Sequence, residues 1–360
     1  MQYFKTISNK IVDRAYKGMI TKEDALQLFS VNIFELFEFA DKLRLEVKGD
    51  VVTYVVNRNI QFTNRCIGTC KFCAFKKDDG YSLSVKEIMS CVRLAKKEGS
   101  TEVCIQGGLQ DDVNLDFYLE VLESIKAEFP FMHIHAFSPM EVTHAANLSG
   151  VSVKYALKSL KKAGLDTMPG TAAEILSDRV RKIICPDKLS SDEWVSVIKL
   201  AHKTGIKTTA TIMYGHVETI MERIEHLEKL REIQMDTGGI TEFVPLPFMP
   251  YNSEIGRMIL KSGKFGTTGI EDLRIHAISR IFFNTHIDNI QASWVKLGKK
   301  LAQFALCAGA NDLGGTLMKE SISASAGATN GEYMSQKEFK WMIKDIGRTP
   351  IQRNTVYEII

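Results

Sequence analysis

From residue 51 onward, short apolar runs of about four to seven residues alternate with longer segments whose apolar positions recur at helical spacing. The apolar runs predict eight strands, at 51–56, 101–105, 133–137, 165–168, 207–213, 240–245, 290–295 and 310–313. Strands separated by helices favour parallel pairing through right-handed crossovers. About eight such units predict an α/β fold of the (β/α)-barrel type, with a doubly wound open sheet as the alternative.

Residues 1–50 have a different pattern, in which only helices are indicated. Thr21 and Asp24 form a capping-box pair, and a second apolar series runs from Ile33 to Leu43 at helical spacing. The last thirty residues contain one further helical pattern at 336–343. We therefore expect three parts: an N-terminal helical segment at 1–50, the barrel at 51–330, and a C-terminal extension at 331–360 that packs on the barrel.

Three cysteines, Cys66, Cys70 and Cys73, lie within eight residues at C-x3-C-x2-C spacing, after the first predicted strand. Three thiolates this close can hold one metal centre, whereas structural zinc sites and electron-transfer clusters are normally closed by four protein ligands. The next cysteine, Cys91, lies on the apolar face of a predicted helix. A 4Fe-4S cluster held by three thiolates would keep one iron open. A zinc site with a distant fourth ligand, and a ferredoxin-like centre, are the alternatives.

Composition limits the remaining possibilities. The chain has 360 residues, 45% hydrophobic and 25% charged, and its 46 basic and 43 acidic residues give a net charge of +3 without long runs of one sign. This distribution does not indicate a nucleic-acid or membrane surface. No signal peptide or apolar run of membrane-spanning length is evident, so we expect a cytoplasmic, reduced protein without disulfides. Cys91, Cys104, Cys185 and Cys307 are then expected to be small core residues.

The cysteine motif resembles that of the radical S-adenosylmethionine (SAM) superfamily. Phe72 matches the aromatic residue that precedes the last cysteine of the superfamily motif. The resemblance implies one 4Fe-4S cluster held by Cys66, Cys70 and Cys73, with SAM on the open iron and an adenosyl radical as the reactive species. Gly107 and Gly108, at the end of the second predicted strand, match a Gly-Gly-Glu position, although Leu109 replaces the glutamate. A glycine pair there permits a close backbone approach to a ligand or a positive φ.

Longer stretches resemble one family within that superfamily, the radical SAM 4-hydroxyphenyl transferases of deazaflavin synthesis. The matching stretches are 57–60, 73–75, 104–109, 133–139, 169–176, 213–216, 241–246, 290–296 and 311–316. The resemblance implies transfer of the 4-hydroxybenzyl group of tyrosine to 5-amino-6-(D-ribitylamino)uracil, with release of 2-iminoacetate, on the route to coenzyme F-420. It also implies a companion radical SAM cyclase subunit and a low-potential electron donor.

Polar residues at the predicted strand ends are the candidate site residues, because βα loops gather at one face of a barrel. The predicted cofactor-binding residues are Phe72, Gln106, Gly107, Gly108, Ser138 and Glu174. The predicted catalytic residues are His135, Tyr214, His216 and Glu242. Arg179 or Arg181 is a candidate partner for the carboxylate of SAM.

Two other functions stay open from the sequence. The related aminofutalosine synthase of menaquinone biosynthesis would share the cluster loop and the barrel but would use an enolpyruvyl benzoate. A zinc-stabilised binding protein would instead use the cysteines structurally.

Overall fold

A computed structural model describes residues 6–360, and it contains nine strands in two parallel sheets. The strands are β1 (Val51–Val55), β2 (Asn57–Gln61), β3 (Glu102–Gln106), β4 (His133–Ala136), β5 (Thr167–Met168), β6 (Lys207–Tyr214), β7 (Ile240–Pro247), β8 (Asp312–Gly315) and β9 (Thr349–Gln352). One sheet has six strands in the sequence order β2-β3-β4-β5-β6-β7, and the other has the order β8-β1-β9.

Sixteen helices lie between and around these strands in the described residues. They are α1 (Asn9–Tyr16), α2 (Lys22–Leu28), α3 (Ile33–Lys48), α4 (Val85–Lys97), α5 (Leu115–Glu128), α6 (Pro139–Leu148), α7 (Val153–Ala163), α8 (Asp178–Ile184), α9 (Ser191–Lys203), α10 (Ile220–Thr237), α11 (Glu254–Lys261), α12 (Gly269–Phe283), α13 (Trp294–Leu297), α14 (Lys299–Leu306), α15 (Ser321–Ser325) and α16 (Gln336–Asp345).

The predicted α/β barrel class is confirmed, because the six-stranded sheet is a parallel half-barrel whose strands are joined through helices. Single bridges from Ile290 to Phe243 and from Gln291 to Asp312 connect β7 with β8. On the other side, β1 and β2 are consecutive parts of one extended stretch. The two sheets are therefore linked on both sides of the half-barrel.

Two of the predicted strands differ in the structure. The stretch before the cysteines is divided at Val56: β1 pairs with β8 and β9, and β2 pairs with β3, so that β2 rather than 51–56 leads into the cysteine loop. At 290–295, only Ile290 and Gln291 bridge to strands, and the helix α13 follows at once. The indole N–H of Trp294 donates to the carbonyl of Gly315 across this junction.

The N-terminal helices are held against the outer helices of the barrel by polar side chains that reach their backbone. Arg231 on α10 donates to the carbonyl of Ile20, and Asn284, at the end of α12, donates to that of Ala15. The predicted Thr21 capping box is present at the start of α2. Helix ends fixed in this way leave few unsatisfied backbone groups at the contact.

The C-terminal residues join the barrel at the ends where its strands begin. Strand β9 pairs in parallel with β1 from Val51 to Tyr54, and Arg353 follows it into the interior. The predicted helix at 336–343 is confirmed as α16. The division into 1–50, 51–330 and 331–360 stays a prediction, because it concerns domain boundaries rather than single elements. No helix among the described residues is long and apolar enough to cross a bilayer.

Candidate active site

A cavity of about 740 Å³ opens at the ends where the barrel strands finish. Its wall includes the three motif cysteines, the loops that follow β3, β4 and β5, the last residues of β7, and residues of α13 and α15. In parallel barrels this is the face that carries the active site. The volume lies within the usual range for small-molecule sites.

Cys66, Cys70 and Cys73 all lie on this wall, and all are free thiols. Backbone N–H groups of Gly68 and Leu109 donate to the Cys66 sulfur at 3.4 and 3.3 Å. Burial raises the pKa of the Cys70 thiol to about 11, so metal binding has to displace its proton. Hydrogen bonds to sulfur ligands of this kind tune the potential of iron–sulfur centres.

The donor type suits an iron–sulfur cluster, because each iron of such a cluster takes one Cys thiolate. Within residues 6–360, no group of three or more His, Cys, Asp or Glu side chains is placed to hold a single metal ion. Cys66, Cys70 and Cys73 all face the cavity, and they are the residues that would hold a cluster there.

Gly107 and Gly108 are required by packing against the cysteine loop. A Cβ on Gly107 would lie 2.5 Å from the Phe62 ring, and a Cβ on Gly108 would overlap the carbonyl oxygen of Arg65. Neither glycine has a positive φ. The N–H of Gly108 donates to the carbonyl of Thr63 at 3.1 Å. The glycine pair thus lets the loop after β3 lie directly against the chain that carries Cys66.

Gly108→Ala is expected to displace the cysteine loop, because the added methyl group meets backbone rather than a movable side chain. Overpacking of this kind costs about 1–3 kcal/mol. We expect a lower midpoint of thermal unfolding and less than the full iron content after anaerobic reconstitution. Gly269→Ala is the matched control, since its Cβ would meet only the Leu301 side chain at 3.5 Å. Full iron content in Gly108→Ala would contradict this assignment.

The loop after β3 is also tied to the start of α6 by a buried carboxylate. Glu141 accepts from the N–H of Gly107 at 2.9 Å and from the N–H of Ser138 at 2.7 Å. The Ser138 hydroxyl accepts from the N–H of Glu141 and so caps α6. Gln106 donates to the Thr171 hydroxyl at 2.9 Å, which extends the link to the next loop. Gln106, Ser138 and Glu141 all lie on the cavity wall. The cofactor-binding role of Gln106 and Ser138 stays a prediction, and the anchoring role of Glu141 was not predicted.

An ion pair borders the cysteine loop on the same side of the cavity. Lys188 binds Glu174 at 2.6 Å, and its ammonium lies 5.1 Å from the centre of the Phe72 ring. Burial alone would lower the pKa of Lys188, but the charges of Glu174, Cys70 and Cys185 raise it above its usual value. Glu174 is held with a positive φ of 46°, a strained backbone conformation for a non-glycine residue. Phe72 and Glu174 thus lie beside the candidate cluster.

His135 and Glu242, two of the four predicted catalytic residues, do not line the cavity. His135 is buried and bonds through Nδ1 to the Thr167 hydroxyl, and burial lowers its pKa to about 3. Glu242 lies near the start of β7, where it accepts from Arg353 and from the Tyr357 hydroxyl. It therefore belongs to the opposite end of the barrel from the cavity.

Tyr214 and His216, the other two, are also absent from the cavity wall. The Tyr214 hydroxyl donates to Asp272 at 2.8 Å. His216 bonds to the carbonyl of Met213 through Nε2 and accepts from the N–H of Val217 at Nδ1. The catalytic assignment of all four residues stays a prediction, and their positions in the structure give it no support.

The two arginines suggested for the SAM carboxylate are already engaged. Arg179 is exposed and binds Glu222, and Arg181 is buried and donates to the carbonyls of Ala172 and Leu189. The prediction that Cys307 is a core residue is wrong, because it is exposed at the end of α14. Cys185 is buried as predicted.

Three cavity residues were not predicted as site residues. They are Asn59 on β2, Lys296 on α13 and Glu320 at the start of α15. Asn59 and Lys296 lie in the matching stretches 57–60 and 290–296, whereas Glu320 lies in none of those stretches. The alternation of side chains in β2 places Asn57, Asn59 and Gln61 on one face. Lys296 and Glu320 come together only through the fold.

Comparison with known proteins agrees with this geometry. Residues 60–230 match the radical SAM superfamily, and residues 237–360 match the CofH/MqnC C-terminal region. A 5-amino-6-(D-ribitylamino)uracil--L-tyrosine 4-hydroxyphenyl transferase of Methanosarcina barkeri is 65% identical over 98% of this chain and 94% of its own. The corresponding proteins of Methanococcoides burtonii and Archaeoglobus fulgidus are 59% and 56% identical, over 98% and 95% of this chain and 99% and 97% of their own.

Solved structures share the fold at much lower identity. Methylornithine synthase (PylB) superposes with a TM-score of 0.73 at 19% identity, covering 94% of this chain and 97% of its own. The FeFe-hydrogenase maturase HydG of Carboxydothermus hydrogenoformans superposes with a TM-score of 0.73 at 16% identity, covering 97% of this chain and 80% of its own. The chain thus belongs to the radical SAM superfamily and, within it, to the family of 5-amino-6-(D-ribitylamino)uracil--L-tyrosine 4-hydroxyphenyl transferases.

Proposed function

We propose that this chain joins the 4-hydroxybenzyl group of L-tyrosine to 5-amino-6-(D-ribitylamino)uracil, releasing 2-iminoacetate, methionine and 5'-deoxyadenosine, in the biosynthesis of coenzyme F-420. The observation that carries the proposal is identity of 56–65% with transferases of that name along nearly the whole chain. The cavity at the cysteine loop supports it, because it can hold small-molecule substrates beside the candidate cluster.

In this proposal Cys66, Cys70 and Cys73 would hold the 4Fe-4S cluster, and SAM would be bound by residues of the adjoining wall, namely Phe72, Gln106, Gly107, Gly108, Ser138 and Glu174. When bound, the cluster and SAM supply the adenosyl radical that starts the reaction. The chain contributes position, since Glu141 fixes the Gly107 loop against the start of α6. The hydrogen bonds to the Cys66 sulfur would help to set the reduction potential of a cluster bound there.

The second task of the chain is to exclude water from reactive species. Apolar wall of the cavity is provided by Met213, Leu246, Phe248, Trp294 and Leu313. Closing such a site against solvent prevents side reactions of radicals and strengthens the polar contacts within it. A tyrosine ring fits this apolar wall, and the polar residues nearby suit the charged head of the amino acid.

The companion cyclase, the low-potential electron donor and the cytoplasmic location belong to the same proposal. The cyclase is proposed because the benzyl adduct needs a further ring closure, and the donor is proposed because the cluster needs an electron.

The test is an anaerobic reaction of the reconstituted protein with SAM, reductant, tyrosine and the ribitylaminouracil, followed by mass spectrometry. The proposal predicts 5'-deoxyadenosine together with a 4-hydroxybenzyl adduct of the uracil. Deoxyadenosine without the adduct, combined with turnover of an enolpyruvyl benzoate, would transfer the assignment to aminofutalosine synthesis. If protein with a full cluster forms neither product, the assignment to radical chemistry is overturned. The relatives named above do not favour the aminofutalosine alternative.

A further inference from the structure

Lys296 is a cation on the cavity wall without a partner in the protein. Among residues 6–360, no carboxylate lies within ion-pair distance of its ammonium, and no hydrogen bond is formed by it. The other two lysines of the wall are engaged, since Lys188 binds Glu174 and Lys76 donates to the carbonyl of Gly68. A half-buried ammonium that faces a cavity without a partner in the protein is available to pair with an anionic group of a ligand.

Two acceptors, on Asn59 and Glu320, line the same cavity, and the N–H of Asn59 donates to the carbonyl of Leu317, three residues before Glu320. The side-chain oxygen of Asn59 is buried and has no hydrogen-bond partner within the described part of the chain. Glu320 caps α15 by accepting from the N–H of Ser323 at 2.8 Å. Burial lowers the pKa of Lys296. The negative charge of Glu320 opposes this shift more strongly than any other nearby charge. Buried acceptors without donors are rare in native proteins and call for a donor from elsewhere.

The combination of these groups selects one kind of ligand. A cation beside a carboxylate and an amide oxygen complements a zwitterion, which carries one anionic acceptor and one ammonium with three donors. A ribityl chain is a neutral polyol and leaves the Lys296 charge unpaired. The amino-acid head of SAM is better placed near the cysteines, where the Glu174–Lys188 pair lies beside Phe72. Leu246, Phe248 and Trp294 supply apolar wall for an aromatic ring.

We propose that Lys296, Glu320 and Asn59 bind the α-amino-acid head of the tyrosine substrate. The Lys296 ammonium pairs with the carboxylate, and the Glu320 carboxylate and the Asn59 oxygen accept from the α-ammonium. This inference rests on the proposed function, since it names the subsite for one substrate of that reaction. It makes these three residues determinants of substrate position, which fixes the hydrogen to be removed relative to the radical.

The test compares tyrosine with tyramine, which lacks only the carboxylate. Dissociation constants are measured by anaerobic calorimetry on enzyme with cluster, SAM and the ribitylaminouracil bound, without reductant, so that no turnover occurs. A charge-assisted contact is worth about 10- to 100-fold in affinity, and the unmodified enzyme should prefer tyrosine by about that ratio. In Lys296→Gln the affinity for tyrosine should fall to the affinity for tyramine, and the affinity for tyramine should stay within about twofold of that of the unmodified enzyme.

Glu320→Gln provides the complementary experiment, because glutamine keeps an oxygen for the N–H of Ser323 but loses the charge. This variant should bind tyrosine with an affinity lower by about 10-fold or more. Its affinity for 3-(4-hydroxyphenyl)propionate, which lacks the ammonium, should be unchanged. Lys299→Gln is the control, since Lys299 forms an exposed pair with Glu338 on the outer surface. The tyrosine preference should be unchanged in that variant. Iron content and unfolding midpoint verify that each variant is intact.

Equal weakening of tyrosine and tyramine by Lys296→Gln would overturn the inference and give Lys296 a structural role. Weakened binding of SAM or of the ribitylaminouracil with tyrosine unaffected would also overturn it. If the unmodified enzyme forms the 4-hydroxybenzyl adduct while Lys296→Gln keeps the tyrosine preference, the subsite is wrong and the proposed function stands. Tyrosine binding that depends on Lys296, with no adduct formed, would overturn the proposed function alone.

Discussion

Cys70→Ser is expected to reduce SAM cleavage to the background level and to leave the reconstituted protein without its full cluster. Cys66, Cys70 and Cys73 are the three thiols on the cavity wall, and the structure brings no fourth side chain to them that would complete a metal site within residues 6–360. A serine hydroxyl does not replace a thiolate as an iron ligand, because soft thiolate ligands select iron–sulfur clusters. Losing one of three ligands should therefore release the cluster.

Iron and sulfide content, absorbance near 400 nm and 5'-deoxyadenosine formation measure this result in one anaerobic preparation. Cys307→Ser is the matched control, since Cys307 is an exposed thiol at the end of α14. That variant should keep the full iron content and full SAM cleavage. A Cys70→Ser protein with normal iron content and normal deoxyadenosine formation would contradict the cluster assignment.

The sequence predicted the part of the site that follows strand ends. Gln106 is the last residue of β3, Gly107 and Gly108 follow it directly, and Ser138 comes two residues after β4. Because the strands are parallel, loops that follow them meet at one face, and these residues line the same cavity as the cysteines. Local sequence order is sufficient for this part of the site, since it does not depend on the direction of a single side chain.

The residues placed outside the cavity illustrate what strand order does not determine. Glu242 is the third residue of β7 and therefore lies near the beginning of the strand. Tyr214 ends β6, but its side chain turns to Asp272 on α12 rather than into the cavity. The sequence indicates that a polar residue belongs to a strand. To reach the site, the residue must also lie at the end of the strand that borders the cavity, and its side chain must face the cavity.

Strand β2 was missed because its own residues are polar. The apolar run ends at Val56, and Asn57 and Asn59 do not resemble a buried strand. In the structure the Asn57 side chain accepts from the N–H of Leu317, and the Thr316 hydroxyl donates to the Asn57 carbonyl. Asn57 is satisfied by residues about 260 positions away, so the sequence near β2 contains no sign of its partners.

The closure of the barrel at the opposite end has the same long-range origin. Arg353 is buried and donates to both oxygens of Asp312, each at 2.8 Å, and to Glu242 at 2.8 Å. The Tyr357 hydroxyl donates to Glu242 at 2.6 Å, and the Arg353 guanidinium lies 4.1 Å from the centre of the Tyr357 ring. One arginine near the C-terminus thus compensates two carboxylates at the starts of β7 and β8.

Arg353→Ala is expected to lower the free energy of unfolding by about 3–5 kcal/mol, the usual cost of leaving buried charges without their partner. Arg93→Ala is the control, because Arg93 and Glu128 form an exposed pair whose loss costs about 1 kcal/mol or less. Anaerobic urea unfolding of both variants and the unmodified protein measures the difference. If Arg353→Ala does not fold, Arg353→Lys replaces it, since one ammonium keeps the charge but cannot contact three carboxylate oxygens in the same way.

The loss in free energy of unfolding caused by Arg353→Ala, called the deficit below, should decrease as the pH is lowered. Burial already raises the pKa of Glu242 above its usual value, and Arg353 opposes this effect, so removing Arg353 raises that pKa further. A carboxyl whose pKa is higher in the folded than in the unfolded state destabilises the fold while it is ionised. That destabilisation is lost as the pH falls through the raised folded pKa. The deficit should therefore be smaller at pH 6 than at pH 8. A deficit as small as that of Arg93→Ala, or one that grows at pH 6, would show that Arg353 does not compensate these carboxylates.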